Sequence, residues 1–391
     1  MSLGSKELFH SNFLEYLFTI DRESFIQMIN DFNLKDIELR GGVNYQIGRE
    51  VENFDLCIYH TVNGNESEKK IYDLVIENKV KSIPYKTQLE DYVTKACKKS
   101  PSNCKFILLT LSDEFPDKDN LTCGNGEKWE VINYETLEGG INDHYLNHIS
   151  DKNQSYIKDY CYFIEQLNNL RKYLIPKQGQ PLFDKNIIKR LKEYRLHDLY
   201  IKLRCSWFAV ELNNLLKNLK VISIPTKFIN KYEEREYQFV NINIAINQGN
   251  GQIAAWICDR DRNTFEVVIQ GNQYRHGINQ VCINTQEQVR TKRLNELYTR
   301  LQTPDYTRSS KFLDFQDEFS IGTHLTQPDI KKNHRKNNPQ DPVVLKSGPF
   351  NCYGDSYIYR YREIDDIAIE QLLEWMVKDI KDLYSNIPKL N

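Results

Sequence analysis

A pair of strand-like segments constrains the fold of this chain more than any other feature. Residues 54–60 (FDLCIYH) and 71–80 (IYDLVIENKV) are rich in β-branched and aromatic residues, and the Asn63-Gly64-Asn65 segment between them has the composition of a hairpin turn. Two such segments usually pair as neighbouring antiparallel strands. The sequence therefore predicts a β-hairpin in the N-terminal third of the chain.

Charged side chains recur along this hairpin with the period of a strand. Successive side chains of a strand point to opposite faces, so Glu77 and Lys79 share one face. On the partner strand, Asp55 projects opposite to Leu56. If the apolar faces of both strands meet one core, Asp55 emerges on the side of Glu77 and Lys79.

Two carboxylates and one ammonium on a single sheet surface predict a divalent-cation site. Mg²⁺ prefers oxygen ligands and keeps several of its waters, so Asp55 and Glu77 are suitable ligands. Lys79 can then orient or help to deprotonate a metal-bound water, or stabilise charge on a scissile phosphate. The alternative is a plain surface ion pair of Glu77 with Lys79 and an aspartate that faces water, and these three residues alone leave both interpretations open.

The flanking periodicity predicts helices and strands in an order typical of an α/β sandwich. Around the hairpin we expect helices at 5–18, 23–32, 82–99 and 156–174 and strands at 105–111 and 129–134. A Pro- and Gly-containing linker at 176–181 divides the chain into a domain of residues 1–175 and a second, α+β domain of residues 176–391.

The second half carries fewer signals. We expect a helix pair at 184–217, helices at 285–301 and 365–384, strands at 237–246, 252–258, 264–270 and 356–362, and a polar loop at 303–350. Arg275 and His276 follow Tyr274, and Arg360 and Arg362 alternate with the tyrosines at 357, 359 and 361, a mixture that could stack on bases and contact phosphate. A half-buried edge strand is the more economical interpretation.

Motifs in the first half resemble the PD-(D/E)XK nuclease superfamily. In chain order they are Glu7 on the first helix, Asp55 in one strand, Glu77-Asn78-Lys79 ending the next, and Gln88 with Tyr92 on the following helix. Gln88 and Tyr92 lie one helical turn apart. They are similar to the QxxxY element of the RecB-like and phage-exonuclease-like branches. Phe54 replaces the proline of the family name, and the resemblance covers residues 5–175.

The resemblance implies a restriction-endonuclease-like mixed sheet flanked by helices. It implies that Asp55 and Glu77 bind Mg²⁺, with Mn²⁺ as a substitute, and that the Asn78 carbonyl contributes to the metal site. Lys79 would activate water, and Glu7 would complete or support the site from the first helix.

Four further residues belong to the expected site or its surroundings. Gln88 and Tyr92 would contact the phosphate or support the metal ligands. The segment around His10 and Ser11 is similar to the start of a bacterial branch of the superfamily, so both residues are candidates for lining the pocket, although a structural role is the preferred interpretation.

Overall composition restricts the possible partners. The chain has 52 Lys+Arg and 54 Asp+Glu, so any contact with nucleic acid must use local patches such as the lysine-rich residues 79–99. Nine cysteines without a CxxC pair predict free thiols in a reducing compartment, and no apolar run predicts a membrane span. Together with this composition, the resemblance implies a cytoplasmic, Mg²⁺-dependent nuclease that acts on DNA rather than RNA. The alternative is a catalytically silent binding or regulatory module.

Overall fold

The computed structural model of the 391-residue chain describes most of its first half and parts of its second. The described residues are 7–32, 34, 39–63, 68–80, 86–100, 104–112, 121–146, 151–219, 221–225, 242–247, 251–258, 263–280, 351–353 and 357–386. The predicted helix at 285–301 and the predicted loop at 303–350 lie outside them, as does most of the predicted hairpin turn.

The chain divides into two compact units, Met1–Ile175 with Lys189–Leu203, and Pro176–Ile188 with Arg204–Asn391. The predicted boundary at residue 175 differs from this division in the placement of residues 189–203. Two helices cross unit boundaries, α6 (Lys185–Glu193) and α7 (His197–Leu216). No helix within the described ranges has the length and hydropathy required to cross a membrane.

The first unit is built on a five-stranded mixed sheet. Its strands are β1 (Gln46–Gly48), β2 (Leu56–Asn63), β3 (Glu68–Lys79), β4 (Lys105–Thr110) and β5 (Trp129–Asn133), hydrogen-bonded in the order β1-β2-β3-β4-β5. The β1/β2 and β2/β3 pairs are antiparallel, whereas β3/β4 and β4/β5 are parallel. The mixed sheet and the hairpin expected from the sequence are confirmed.

Helices cover both faces of this sheet. They are α1 (Glu7–Ile20), α2 (Arg22–Asp31), α3 (Lys86–Lys99), α4 (Tyr134–Tyr145) and α5 (Asp151–Leu174). Helix α3 connects the parallel strands β3 and β4, and its Leu89 and Val93 pack with Val75 and Phe106 in the core. Helix α1 lies against the opposite face, where the Asn78 side chain reaches it.

A short left-handed stretch precedes β2. Glu50 (φ 53°), Glu52 (φ 55°) and Asn53 (φ 71°) all adopt positive φ, which costs non-glycine residues about 1 kcal/mol or more each. The Glu52 carboxylate pairs with Lys99 at the end of α3. This stretch turns the chain sharply just before Asp55.

We predict that Glu50→Gly stabilises the first unit, because glycine adopts this backbone conformation without the Cβ clash. The expected gain is about 0.5–1 kcal/mol, or roughly 1–4 °C in the melting temperature. Thermal unfolding of the full chain measures it. Glu90→Gly, inside α3, is the matched control and should lower the melting temperature. Equal effects of the two variants would contradict the strain assigned to Glu50.

The second unit contains a seven-stranded sheet. Its strands are β6 (Val221–Pro225), β7 (Ile242–Asn247), β8 (Gln252–Cys258), β9 (Asn263–Gln270), β10 (Gln273–Gln280), β11 (Asn351–Tyr353) and β12 (Tyr357–Glu363), in the order β11-β12-β10-β9-β8-β7-β6. Among the described strand pairs of this second sheet, the β6/β7 pair is parallel and the others are antiparallel. Helix α8 (Ile369–Asn386) packs against β8 and β9.

Three of the four tyrosines considered for base stacking are buried in this unit, and the side chain of the fourth lies outside the described part of the chain. Tyr274, Tyr359 and Tyr361 expose 0%, 4% and 7% of their surface, and the Tyr274 hydroxyl donates to the buried Asp379 carboxylate at 2.9 Å. Strand β12 lies between β11 and β10, so the predicted edge strand is also wrong. These three rings are core residues and have no face free to stack on a base.

Candidate active site

The register of the hairpin places Asp55 beside Glu77. Leu56, the first residue of β2, pairs with Ile76 of β3, so the preceding residue Asp55 lies next to Glu77. The buried Phe54 side chain anchors the chain at this point. The Asn78 backbone N–H donates to Asp55 Oδ2 at 2.8 Å, which fixes one oxygen of the carboxylate.

Glu77 and Lys79 form a buried ion pair on the face of β3 that α3 covers. Lys79 Nζ lies 2.5 Å from Glu77 Oε1, and the two side chains expose 8% and 1% of their surface. They follow the alternation expected of a strand. The structure thus brings together the three residues that the sequence grouped.

Helix α3 adds two polar side chains to this group. Gln88 Nε2 donates to Glu77 Oε1 at 3.0 Å and to the Tyr92 hydroxyl at 2.8 Å. The two residues are one turn apart, as the sequence predicted, and they reach the site through Glu77. Tyr92 exposes only 8% of its surface.

Burial controls the charge state of both carboxyl groups. Desolvation raises the pKa of Glu77 to about 8, although the Lys79 ammonium opposes this shift. Desolvation also raises the pKa of Asp55, against the lowering effects of the Asn78 N–H and of Lys79. The negative charge of Asp55 further raises the pKa of Glu77, whereas a side-chain hydrogen bond with Glu77 lowers the pKa of Asp55.

Lys79 remains an ammonium. Burial lowers the pKa of its amine, but Glu77, Glu7 and Asp55 together outweigh burial and raise this pKa above its usual value. A group that holds its proton this firmly acts as a donor and a positive charge. In this arrangement it is poorly suited to remove a proton from water.

Glu7 and its neighbours approach from α1. The negative charge of Glu7 raises the pKa values of Asp55 and Glu77 and of Lys79, which places its carboxylate near the group. Ser11 Oγ donates to the Glu7 carbonyl at 3.3 Å and accepts from Asn78 Nδ2 at 3.1 Å. His10 Nδ1 bonds the Tyr160 hydroxyl at 2.9 Å. His10 and Ser11 are buried contacts behind the sheet, on the side opposite to Glu77.

Residues 1–162 match the family model of the PD-(D/E)XK nuclease superfamily. This part of the chain belongs to that superfamily. The mixed sheet with flanking helices is consistent with the PD-(D/E)XK fold. A search of the curated proteins gave no match, and neither did a search of the solved structures.

Members of the PD-(D/E)XK superfamily generally are nucleases, which typically use divalent metal ions, and the residues of this site fit such an ion. Glu77 Oε2 is buried and has no hydrogen-bond donor among the described residues. The Asp55 carboxyl is close enough to share a hydrogen bond with Glu77 when one of them carries a proton. Two facing carboxylates with one buried oxygen that lacks a donor favour a proton or a cation between them.

The number of ligands limits which ion fits. Within the described residues, no three or more His, Cys, Asp or Glu side chains are grouped as metal ligands. Glu7 therefore stands near the pair without completing a three-residue cage. Two carboxylates such as Asp55 and Glu77 are a ligand set that fits a hard divalent ion which prefers oxygen ligands and keeps several waters.

Tyr134 belongs to the surroundings of the site, although its sequence position gave no signal. The sequence placed it at the end of a strand, whereas it begins α4, directly after β5. Its hydroxyl donates to Asn78 Oδ1 at 2.5 Å. Only the folded chain shows this contact, because 56 positions separate the two residues.

Proposed function

We propose that this chain is a Mg²⁺-dependent nuclease that hydrolyses phosphodiester bonds in DNA, with Mn²⁺ as an alternative ion. The observation that carries the proposal is the buried Glu77 carboxylate, which faces Asp55, contacts Lys79 and leaves Oε2 without a donor among the described residues. Burying these charged groups costs more desolvation energy than their mutual contacts return, so the arrangement does not stabilise the fold. Its cost is offset when the site binds a cation and a phosphate.

Asp55 and Glu77 would hold the ion, and the Asn78 carbonyl is a further candidate ligand. A bound divalent ion supplies a water of lowered pKa and neutralises charge on the phosphate. The Lys79 ammonium donates to the attacking water or to a phosphate oxygen and stabilises the negative charge that develops there. Gln88 keeps Glu77 Oε1 in place, and Tyr92 keeps Gln88 in place.

The reaction is a hydrolysis. The water oxygen bonds to phosphorus, the bond from phosphorus to the 3′ oxygen breaks, and the leaving oxygen takes up a proton. By resemblance to the superfamily, the products carry a 5′-phosphate and a 3′-hydroxyl. The preference for DNA rests on the same resemblance, so RNA is included in the test.

Two further features belong to the proposal. The six cysteines whose side chains are described are free thiols, which supports a reducing compartment, the cytoplasm. They are Cys57, Cys97, Cys104, Cys123, Cys161 and Cys205. We assign substrate choice or assembly to residues 176–391.

The decisive experiment incubates the full chain with plasmid DNA, linear DNA and RNA in the presence of Mg²⁺, Mn²⁺ or EDTA. The wild type should cleave DNA only with a metal ion, and Asp55→Ala and Lys79→Ala should not cleave. Lys70→Ala, on the same strand but outside the site, is the control and should retain activity. If no nucleic acid is cut, or if Asp55→Ala cuts as fast as the wild type, the chain is a binding or regulatory module and the nuclease proposal fails.

A further inference from the structure

Asn78 connects the two faces of the sheet at the site. It stands between Glu77 and Lys79 in β3, so its side chain points away from them, toward α1. Its backbone N–H, in contrast, donates to the Asp55 carboxylate. One residue therefore has its peptide in the site and its side chain in the core behind it.

The side chain of Asn78 is held by a set of contacts that we call the Asn78 clamp, formed by Tyr134, Ser11 and the Glu7 carbonyl. Tyr134 donates to Oδ1 at 2.5 Å, and Nδ2 donates to Ser11 Oγ at 3.1 Å, with a longer contact to the Glu7 carbonyl at 3.5 Å. Asn78, Tyr134 and Ser11 expose 1%, 0% and 2% of their surface. A buried amide that loses such partners pays a desolvation penalty, so this side chain has one favourable orientation.

Asp55 depends on that orientation because it lies outside the strand ladder. Strand β2 begins at Leu56, one residue later. The described hydrogen bond that holds the Asp55 carboxylate comes from the Asn78 N–H at 2.8 Å. A rotation of the Asn78 peptide would move this donor and change where Asp55 points relative to Glu77.

We propose that Tyr134 and Ser11 are positioning residues that act through Asn78 from the far face of the sheet and fix Asp55 for its role at the site. The inference rests on the proposed nuclease function, since it assigns Asp55 a ligand role. It adds a requirement that the D…E-x-K pattern does not contain, namely that the residue between Glu77 and Lys79 bonds both α1 and the first turn of α4.

Tyr134→Phe tests this inference because it removes one hydroxyl and keeps the ring. Without the Tyr134 hydroxyl, Asn78 should hold Asp55 less firmly. The kcat for DNA cleavage should then fall by roughly 10–100-fold with KM unchanged. Hydrogen exchange of the backbone N–H of Asn78, followed by NMR or mass spectrometry on the full chain, should become about tenfold faster. This factor corresponds to the loss of one hydrogen bond. The exchange measurement does not depend on activity.

Tyr145→Phe is the matched control. Tyr145 is also a fully buried tyrosine of α4, and its hydroxyl donates to the carbonyls of Leu17 and Asp21, away from the site. A similar loss of stability is expected, with kcat and Asn78 exchange at wild-type values. A purely structural role for Tyr134 predicts that the two variants behave alike.

The outcomes separate the two proposals. If the wild type cleaves DNA but Tyr134→Phe matches Tyr145→Phe in kcat and in Asn78 exchange, the clamp is overturned and the nuclease function stands. If Asn78 exchange accelerates only in Tyr134→Phe while the wild type cleaves no nucleic acid, the clamp is supported as a positioning contact and the nuclease proposal falls. Faster exchange together with a lower kcat supports both.

Discussion

Replacing Glu77 by glutamine is expected to abolish cleavage and at the same time to stabilise the fold. Glutamine keeps the shape of the side chain but supplies no negative ligand for a metal ion. A catalytic metal contributes several kcal/mol of transition-state stabilisation, so cleavage should fall by roughly 10³-fold or more. Gel assays of plasmid cleavage under single-turnover conditions measure this loss.

The gain in stability follows from the charge state of Glu77. Its carboxyl has a pKa of about 8 in the folded chain and an ordinary value of 4.5 when exposed. The folded state therefore binds the proton more tightly, and the stability contributed by this group falls as pH rises from about 4.5 to about 8. Glutamine resembles the protonated form at every pH, so its advantage should grow over that interval and then level off.

The size of this gain is on the order of 3 kcal/mol at pH 8.5, or roughly 6–12 °C in melting temperature. Lys79 loses one partner in the variant but keeps the negative charges of Asp55 and Glu7. Asp73→Asn, on the same strand but paired with His60, is the control and should retain cleavage. A melting-temperature difference that stays constant between pH 5 and pH 8 would show that ionised Glu77 carries no such penalty.

Binding of Mn²⁺ or Mg²⁺ is expected to strengthen steeply with pH. The ion must displace the proton held by Glu77, so below pH 8 each added pH unit should tighten binding about tenfold. Between pH 6 and pH 8 the dissociation constant should therefore fall by roughly 100-fold, and above pH 8 it should level off. Titration calorimetry in two buffers with different ionisation enthalpies counts the proton released.

Two variants make this titration specific. Asp55→Asn should abolish binding, and Glu77→Gln should bind weakly with no pH slope because it has no proton to release. Affinity that is independent of pH, with no proton released near pH 7, would place the metal elsewhere or show that Glu77 is already ionised.

Strand alternation accounts for most of what the sequence revealed about the site. Asp55, Glu77 and Lys79 meet because the period of two is strict and because one face of the hairpin must be apolar. The positions of Gln88 and Tyr92 followed from helical spacing alone. Their particular bonds, with Gln88 on Glu77 and Tyr92 on Gln88, could not be derived because they depend on how α3 lies across β3.

Helix α4 shows why part of the fold was not predicted. Its middle contains Gly139-Gly140, a pair that usually indicates a turn. A Cβ at residue 140 would lie 2.7 Å from the Phe32 ring and 2.9 Å from the Met28 side chain. Residue 140 must be glycine because these two side chains, from α2 and its C-terminal cap, pack directly against the backbone of α4. A local sequence pattern carries no information about such a tertiary contact.

The same limit applies to Asn78 and to the tyrosines of the second unit. An asparagine inside an E-x-K motif predicts no particular role from sequence. Its role becomes visible only in the fold, where its side chain bonds Tyr134 and Ser11. Alternating tyrosine and arginine is equally compatible with a solvent-exposed strand and a buried strand. The strand is buried here because β10 and β11 flank it and α8 packs on the same sheet, which the pattern itself does not indicate.

The β2/β3 hairpin also affects the order in which the first unit folds. A hairpin closes within microseconds, whereas the parallel β3/β4 and β4/β5 pairs must wait for their long crossovers to close. We therefore expect Asp55 and Glu77 to meet while water still surrounds both carboxylates. If their desolvation waits until α3 docks, the late steps of folding should slow as pH rises, and a divalent ion that binds the preformed hairpin should speed them.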